Sequence, residues 1–143
     1  MKIKDVIRDK PSHDVITIVP DATVQELVAL LAEHNVGAVV VSSDRSTVEG
    51  IVSERDVVRR LHDRDDVLGA TVAEIMTARV RTCEPEHDLD ALMALMTEHR
   101  IRHVPVVEDA RLVGVVSIGD VVKSRMTQLE FERDQLDSYV HQT

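Results

Sequence analysis

VITIVPDATVQELVALLAEHNV, residues 15–36, returns as VRTCEPEHDLDALMALMTEHRI at residues 80–101, at a constant offset of 65. Identities fall at Val15/Val80, Thr17/Thr82, Pro20/Pro85, Leu27/Leu92, Ala29/Ala94, Leu30/Leu95, Glu33/Glu98 and His34/His99. Farther on, EGIVSERDVVRR (49–60) matches VGVVSIGDVVKS (113–124) at an offset of 64, with six of the twelve pairs identical. The one-residue slip lies between the two blocks, where the first copy has SSDRST and the second EDAR, polar stretches in which a hairpin turn tolerates a length change. Similarity of this kind marks a structural repeat. Each copy opens alike, with IKDVI at 3–7 and VAEIM at 72–76, so one unit covers 1–70 and the second 71–125; the charged stretch HDRDDVLGA (62–70) reads as the connection.

Periodicity changes in the same order within each unit. A β-branched run from Val15 to Val19 leads through Pro20 to a helix whose apolar positions, Val24, Leu27, Val28 and Leu31, follow i, i+3, i+4, i+7. Thr23 and Glu26 have capping-box spacing at its start, and Asn35 or Gly37 closes its end. Leu89, Leu92, Met93 and Met96 repeat the stripe behind Asp88 as N-cap. Two short strands follow, Val36–Val41 and Val48–Val52, with Ile101–Val107 and Leu112–Val116 as counterparts; a further helix begins at Ser53 and again at Ser117. The unit is strand, helix, strand, strand, helix. Alone it is too small to bury a good core, so the expectation is an α/β (α+β) fold of two repeats packed face to face with pseudo-twofold symmetry and two related clefts between them. Residues 126–143 lie outside the repeat and form an acidic C-terminal helix, with Leu129, Leu136 and Val140 on a narrow apolar stripe and Phe131 and Tyr139 nearby.

Composition removes several functions. A net charge of −9 opposes non-specific binding to nucleic acid, and with one Phe and one Tyr in the chain there is no platform for stacking bases. The single cysteine, Cys83, forms no internal disulfide and points to a reducing, cytoplasmic setting. The first ten residues lack the apolar run of a signal peptide, and no stretch approaches the ~18 apolar residues of a membrane span. The chain holds no nucleophile beside a base and no metal-spaced cluster, so the expectation is a binding module, not an enzyme.

Chemistry concentrates at the junctions GIVSERD (50–56) and GVVSIGD (114–120), each a glycine and two aliphatic residues ending in a serine that starts a helix, with an aspartate three positions on. A helix start and a serine hydroxyl suit a phosphate, and an ionised aspartate suits the two hydroxyls of a ribose. The same S-x-x-D spacing, at Ser53/Asp56 and Ser117/Asp120, is also that of a plain capping box, and the motif alone does not choose. Arg102 and His103 are a second candidate, because their first-repeat counterparts are Gly37 and Ala38 and the cationic pair breaks the symmetry there. Gly37 and Ala38 would let a flat ring approach the backbone, while Thr17 and Thr82 sit at equivalent strand ends.

The two GhhSxxD junctions, the V-x-T-x-x-P openings and the strand RHVPVV together resemble the cystathionine β-synthase (CBS) domain family, and residues 1–125 resemble its paired arrangement, the Bateman module. The wording IVSERD, RIRHVPV and SIGDVV, followed by the acidic tail, is similar to stand-alone two-repeat proteins of bacteria and plant organelles. This resemblance implies a regulatory module whose clefts bind adenosyl ligands, AMP first, with ADP, ATP, NAD or S-adenosylmethionine as alternatives. It gives the ribose hydroxyls to Asp56 and Asp120 and the phosphate or ribose to Ser53 and Ser117. The adenine slot would be lined by Thr17, Thr82, Ala38, Ile51, Val104 and Val115, with Pro105 beside it, and Arg102 and His103 would meet phosphate. Since the first repeat lacks a basic pair, one set of cations serves two clefts, with Arg55 and Arg59 as the compensating side chains. The resemblance also implies a homodimer and a regulated partner protein; the ligand-free alternative is a pure interaction module.

Overall fold

The computed structural model describes residues 1–141. Its elements run α1 (Ile3–Arg8), β1 (Thr17–Ile18), α2 (Val24–His34), β2 (Ala38–Val41), β3 (Gly50–Ser53), α3 (Glu54–Asp63), a 3₁₀ turn (Val67–Gly69), α4 (Val72–Ile75), α5 (Leu89–His99), β4 (His103–Glu108), β5 (Arg111–Ser117) and α6 (Ile118–His141). The repeat is thus realised as a mixed α/β pair. In the first half β1 runs parallel to β2 and β2 antiparallel to β3, with Thr17 opposite Val40 and Ala38 opposite Ser53. The second half pairs β4 with β5, and in the place of β1 it has a single parallel bridge between Cys83 and Val106.

The repeated helices end as their sequences dictate. Thr23 Oγ1 accepts from the Glu26 N–H at 3.1 Å, and Asn35 closes α2 in the left-handed region at φ 52°. Asp88 precedes α5 without a side-chain cap, and Arg100 takes Asn35's role at φ 53°. Val24, Leu27 and Leu31 are buried, as are Leu89, Leu92 and Met96, but Val28 of the expected stripe faces outward. The hairpins explain the slip between repeats. The β4–β5 turn is only Asp109–Ala110, both at positive φ, whereas residues 42–49 form a longer loop organised by Asp44, which accepts from the N–H groups of Ser46 and Thr47.

Two hydrophobic cores result, and the opening helices are exchanged between them. Ile3 and Val6 of α1 pack with Leu89, Leu92, Met96, Val104, Val106, Val116 and Val121 of the second half. Val72 and Ile75 of α4 pack with Val24, Leu27, Val39, Val52 and Val57 of the first. Backbone bonds repeat the exchange with the same symmetry: Ile3 N–H to His87 O (3.0 Å) and Lys4 N–H to Pro85 O (2.9 Å) on one side, Val72 N–H to Ala22 O (2.8 Å) and Ala73 N–H to Pro20 O (2.9 Å) on the other. Each helix crosses a strand of the other half over a glycine. A Cβ on Gly50 would stand 2.6 Å from Met76 Sδ, and one on Gly114 would stand 3.3 Å from Ile7 Cδ1. A six-residue helix such as α1 has no stability of its own in water, so burial of Ile3 and Val6, roughly 1.5–3 kcal/mol each, is what holds it.

The C-terminal helix expected over 126–143 is present through His141, and it continues the last helix of the second repeat without a break. Between Asp120 and His141 the chain has neither glycine nor proline, so nothing stops the last helix of the second repeat, and α6 runs unbroken from Ile118 to His141; residues 142 and 143 lie outside the described residues. No helix among the described residues is long and apolar enough to cross a membrane.

Candidate functional site

At each GhhSxxD junction a strand ends on the serine and a helix starts on the next residue. In the second half the Ser117 N–H donates to Asp120 Oδ2 at 2.9 Å while Ser117 Oγ accepts from the Asp120 N–H at 3.1 Å. In the first, the Ser53 N–H donates to Asp56 Oδ2 at 2.8 Å, and Ser53 Oγ accepts from the Asp56 N–H at 3.3 Å. Both motifs are therefore capping boxes. Capping does not exhaust either carboxylate, because every capping bond falls on Oδ2 and Oδ1 remains an acceptor.

Asp120 stands at one end of a cleft of about 530 Å³ to which both halves contribute. Ser117, Val115 and His103 come from the second half, and Ile16, Asn35, Val36, Gly37 and Ala38 from the first. Between them runs the linker from α1 to β1, which places Lys10, Ser12 and Asp14 on the wall. Lys10 Nζ lies 3.1 Å from Asp120 Oδ2 and donates to Val115 O at 2.8 Å. Burial pushes the Asp120 carboxyl up, but the Ser117 N–H and the Lys10 ammonium outweigh it and hold the group below its ordinary value, so it is ionised. His103 is depressed, first by burial, with Glu54 and Asp120 pulling the other way; its imidazole is neutral at pH 7.

Of the residues singled out in the sequence, Ala38, His103, Val115, Ser117 and Asp120 meet in this cleft. Ile51, Ser53 and Asp56 hold the related positions on β3 and α3, and Thr17 lies within the first sheet opposite Val40. Val104 and Pro105 are buried in β4, where Pro105 O accepts from the Cys83 N–H, and Thr82 is exposed beside that contact. The Arg102–His103 pair is divided: His103, the first residue of β4, enters the Asp120 cleft, while Arg102, in the bend before the strand, joins Arg55 on a separate groove. Sequence reading missed Lys10 and the linker altogether, since a lysine in an irregular segment carries no periodic signal. His34, noted in the sequence only as a repeat match to His99, also lines the cleft at the end of α2. Cys83 takes no part; it is buried, and burial pushes its thiol up to about 12.

A family model described as the CBS domain matches residues 3–63 and again 72–126. The chain belongs to the CBS domain family. It is 38% identical over 125 residues to a mitochondrial CBS domain-containing protein of Arabidopsis thaliana, covering 84% of this chain and 61% of that longer protein. Among solved structures, a CBS-domain protein of Agrobacterium tumefaciens superposes with a TM-score of 0.82 at 41% identity, over 87% of this chain and 99% of the other. The CBS domain pair of protein MJ0100, solved in complex with 5′-methylthioadenosine and S-adenosyl-L-methionine, superposes with a TM-score of 0.75 at 26% identity, over 86% and 98%.

Within this CBS pair the neutral His103 sets a pH dependence. The unfolded chain takes up the proton first, because the folded imidazole titrates below the ordinary value of 6.5. The contribution is therefore complete above 6.5 and drains away as pH falls through the folded value. Wild-type protein should lose urea resistance between about pH 7.5 and about pH 5.5, and His103→Asn should lose less over the same interval. An equal or steeper loss in the variant would contradict a neutral His103 in the cleft.

Proposed function

We propose that this CBS pair is a non-catalytic sensor that takes an adenosine-bearing ligand into the cleft between its halves and reports occupancy to a partner chain. The observation that carries the reading is the meeting, across one cleft, of an ionised aspartate with a free oxygen and a wall of Ile16, Val36, Ala38 and Val115. An apolar slot accepts the faces of a purine, and Asp120 Oδ1 accepts from ribose hydroxyls. The complex of the MJ0100 pair with two adenosyl compounds supports the same ligand class. AMP heads the candidates, followed by ADP, ATP, NAD and S-adenosylmethionine. In this cleft Ser117 and Asp120 are engaged in a cap and Lys10 in an ion pair, which favours binding over catalysis.

Calorimetric titration of the full chain with adenosine and each of these ligands tests the reading. Binding of at least one is expected, with Asp120→Asn weakening it by ~1–3 kcal/mol through loss of charge-assisted bonds. Absence of heat with all of them at millimolar concentration would refute it.

A second reading, self-association, is favoured by α6. Ile118, Val122, Met126, Leu129 and Leu136 follow one stripe along it, and each is at least 40% exposed. We infer a homodimer closed by this stripe, as befits an isologous interface built on the last element of the fold. Light scattering should give a dimer for the full chain and a monomer for a chain truncated after Arg125. A truncated chain that remains dimeric would show that the interface lies elsewhere.

A further inference from the structure

From Leu129 to His141 every residue of α6 is exposed, so the second half of this helix projects from the body that buries Val121. A bare helix of about 12 residues is marginal in water, and this one needs a covering surface. Its apolar residues have the spacing of a coiled-coil seam: Val122, Leu129 and Leu136 fall at d positions and Met126 at an a position, with Arg133 at the next a. The seam is turned away from Val121, Ser124 and Gln128, whose burial marks the face of α6 that lies on the body. Near its start it opens into a groove of about 470 Å³ between Ile118, Val122 and Met126, with Lys123 and Glu130 along one side.

Charge is polarised along the same helix. Lys123 and Arg125 lie in its first half, while Glu130, Glu132, Asp134 and Asp137 crowd the second against Arg133 alone. Arg125 is 3.8 Å from Asp90 and Arg133 3.3 Å from Asp134, whereas Lys123, Glu130, Glu132 and Asp137 enter no ion pair among the described residues. A second copy of the helix can meet the seam in two orientations. Parallel alignment sets Arg133 against the partner's Arg133 within the seam and Glu132 beside the partner's Asp137, so like charges meet at both places. Antiparallel alignment centred on Phe131 sets Met126 against the partner's Leu136 and Lys123 beside the partner's Asp137. It also lays the stem of Arg133 on the partner's Leu129 with its head within reach of the partner's Glu130 and Glu132. The glutamates that meet at the centre are then bracketed by both arginines, and the helix dipoles are opposed.

We propose that two copies of this chain pair antiparallel along α6, the acidic end of each helix lying over the Val122–Met126 groove and beside Lys123 of the other. The orientation rests on the self-association reading above and deepens it. With 24 residues α6 is about 36 Å long, so the two CBS pairs stand at opposite ends of a shared two-helix rod, each on the outer side of its own helix. Arg133 at an a position sets the register, since a polar group in an apolar seam is satisfied in one alignment only.

Sedimentation equilibrium of the full chain at low salt tests the orientation on wild type, Lys123→Glu, Asp137→Lys and the double variant. Twofold symmetry makes each single substitution replace two attractive contacts by two repulsive ones. Each should therefore raise the dimer dissociation constant on the order of tenfold, and the double variant should return it to the wild-type value. Oxidative cross-linking gives a second readout: a Met126→Cys chain should link to a Leu136→Cys chain, and neither to itself, while the buried Cys83 stays out of the reaction. All four substituted side chains are exposed, so the cores of the two halves are untouched. Tighter association of Asp137→Lys, or Met126→Cys chains linked to each other, would establish the parallel orientation and overturn the proposal. A dimer indifferent to every charge variant and lacking the 126–136 link also overturns it and leaves self-association standing, whereas a monomeric wild type refutes both.

Discussion

Ile3 and Val6 sit in the core of the second half, and Val72 and Ile75 sit in the core of the first. This exchange of opening helices is the constraint on which the rest of the structure depends. Each half has too few residues to bury a full core, and each completes it with a helix from the other. The linkers leaving those helices then cross between the halves: Thr77 bridges to Ile51 of β3, and Lys10 reaches Val115 and Asp120. A cleft walled by Ile16 and Ala38 on one side and Val115 and Asp120 on the other exists because the exchange fixes the two sheets against each other.

The GhhSxxD junction lets a single carboxylate close a helix cap and still keep an acceptor for the proposed ligand. Oδ2 closes the first turn of a helix by accepting from the serine N–H, which fixes the side chain before any ligand arrives. Oδ1 is then presented from a rigid base, the condition under which a charged acceptor binds with little loss of entropy. Lys10 balances the charge in the meantime, and it stands between the cap and the cleft, where a ligand must either share it or move it.

Much of this was legible in the sequence. The offsets of 65 and 64 located α2 and α5, most of their buried stripes and the hairpins, because burial imposes the same periodicity on both copies. The capping boxes and the role of Asn35 follow from local chemistry alone. The exchange was not legible: an amphipathic IKDVI states that one face is buried but not against which sheet. Lys10 was hidden for the same reason, as its partner is distant in the chain. The division of Arg102 from His103 falls at the start of β4, where a bend ends and the strand begins, a boundary that the pairing of the two as one cationic unit overlooked. The continuity of α6 follows equally from the lack of a helix breaker, once the repeat boundary is no longer taken as a structural one.

Both halves build the cleft together. Hydrogen exchange of the full chain, with and without saturating AMP, measures this most directly. The expected result is slowed exchange at Val36–Val39 of the first half and, in the same titration, at Val115–Asp120 of the second, along with the Lys10–Ile16 linker. Protection confined to one half, or none at those amides while AMP is bound, would contradict a shared cleft.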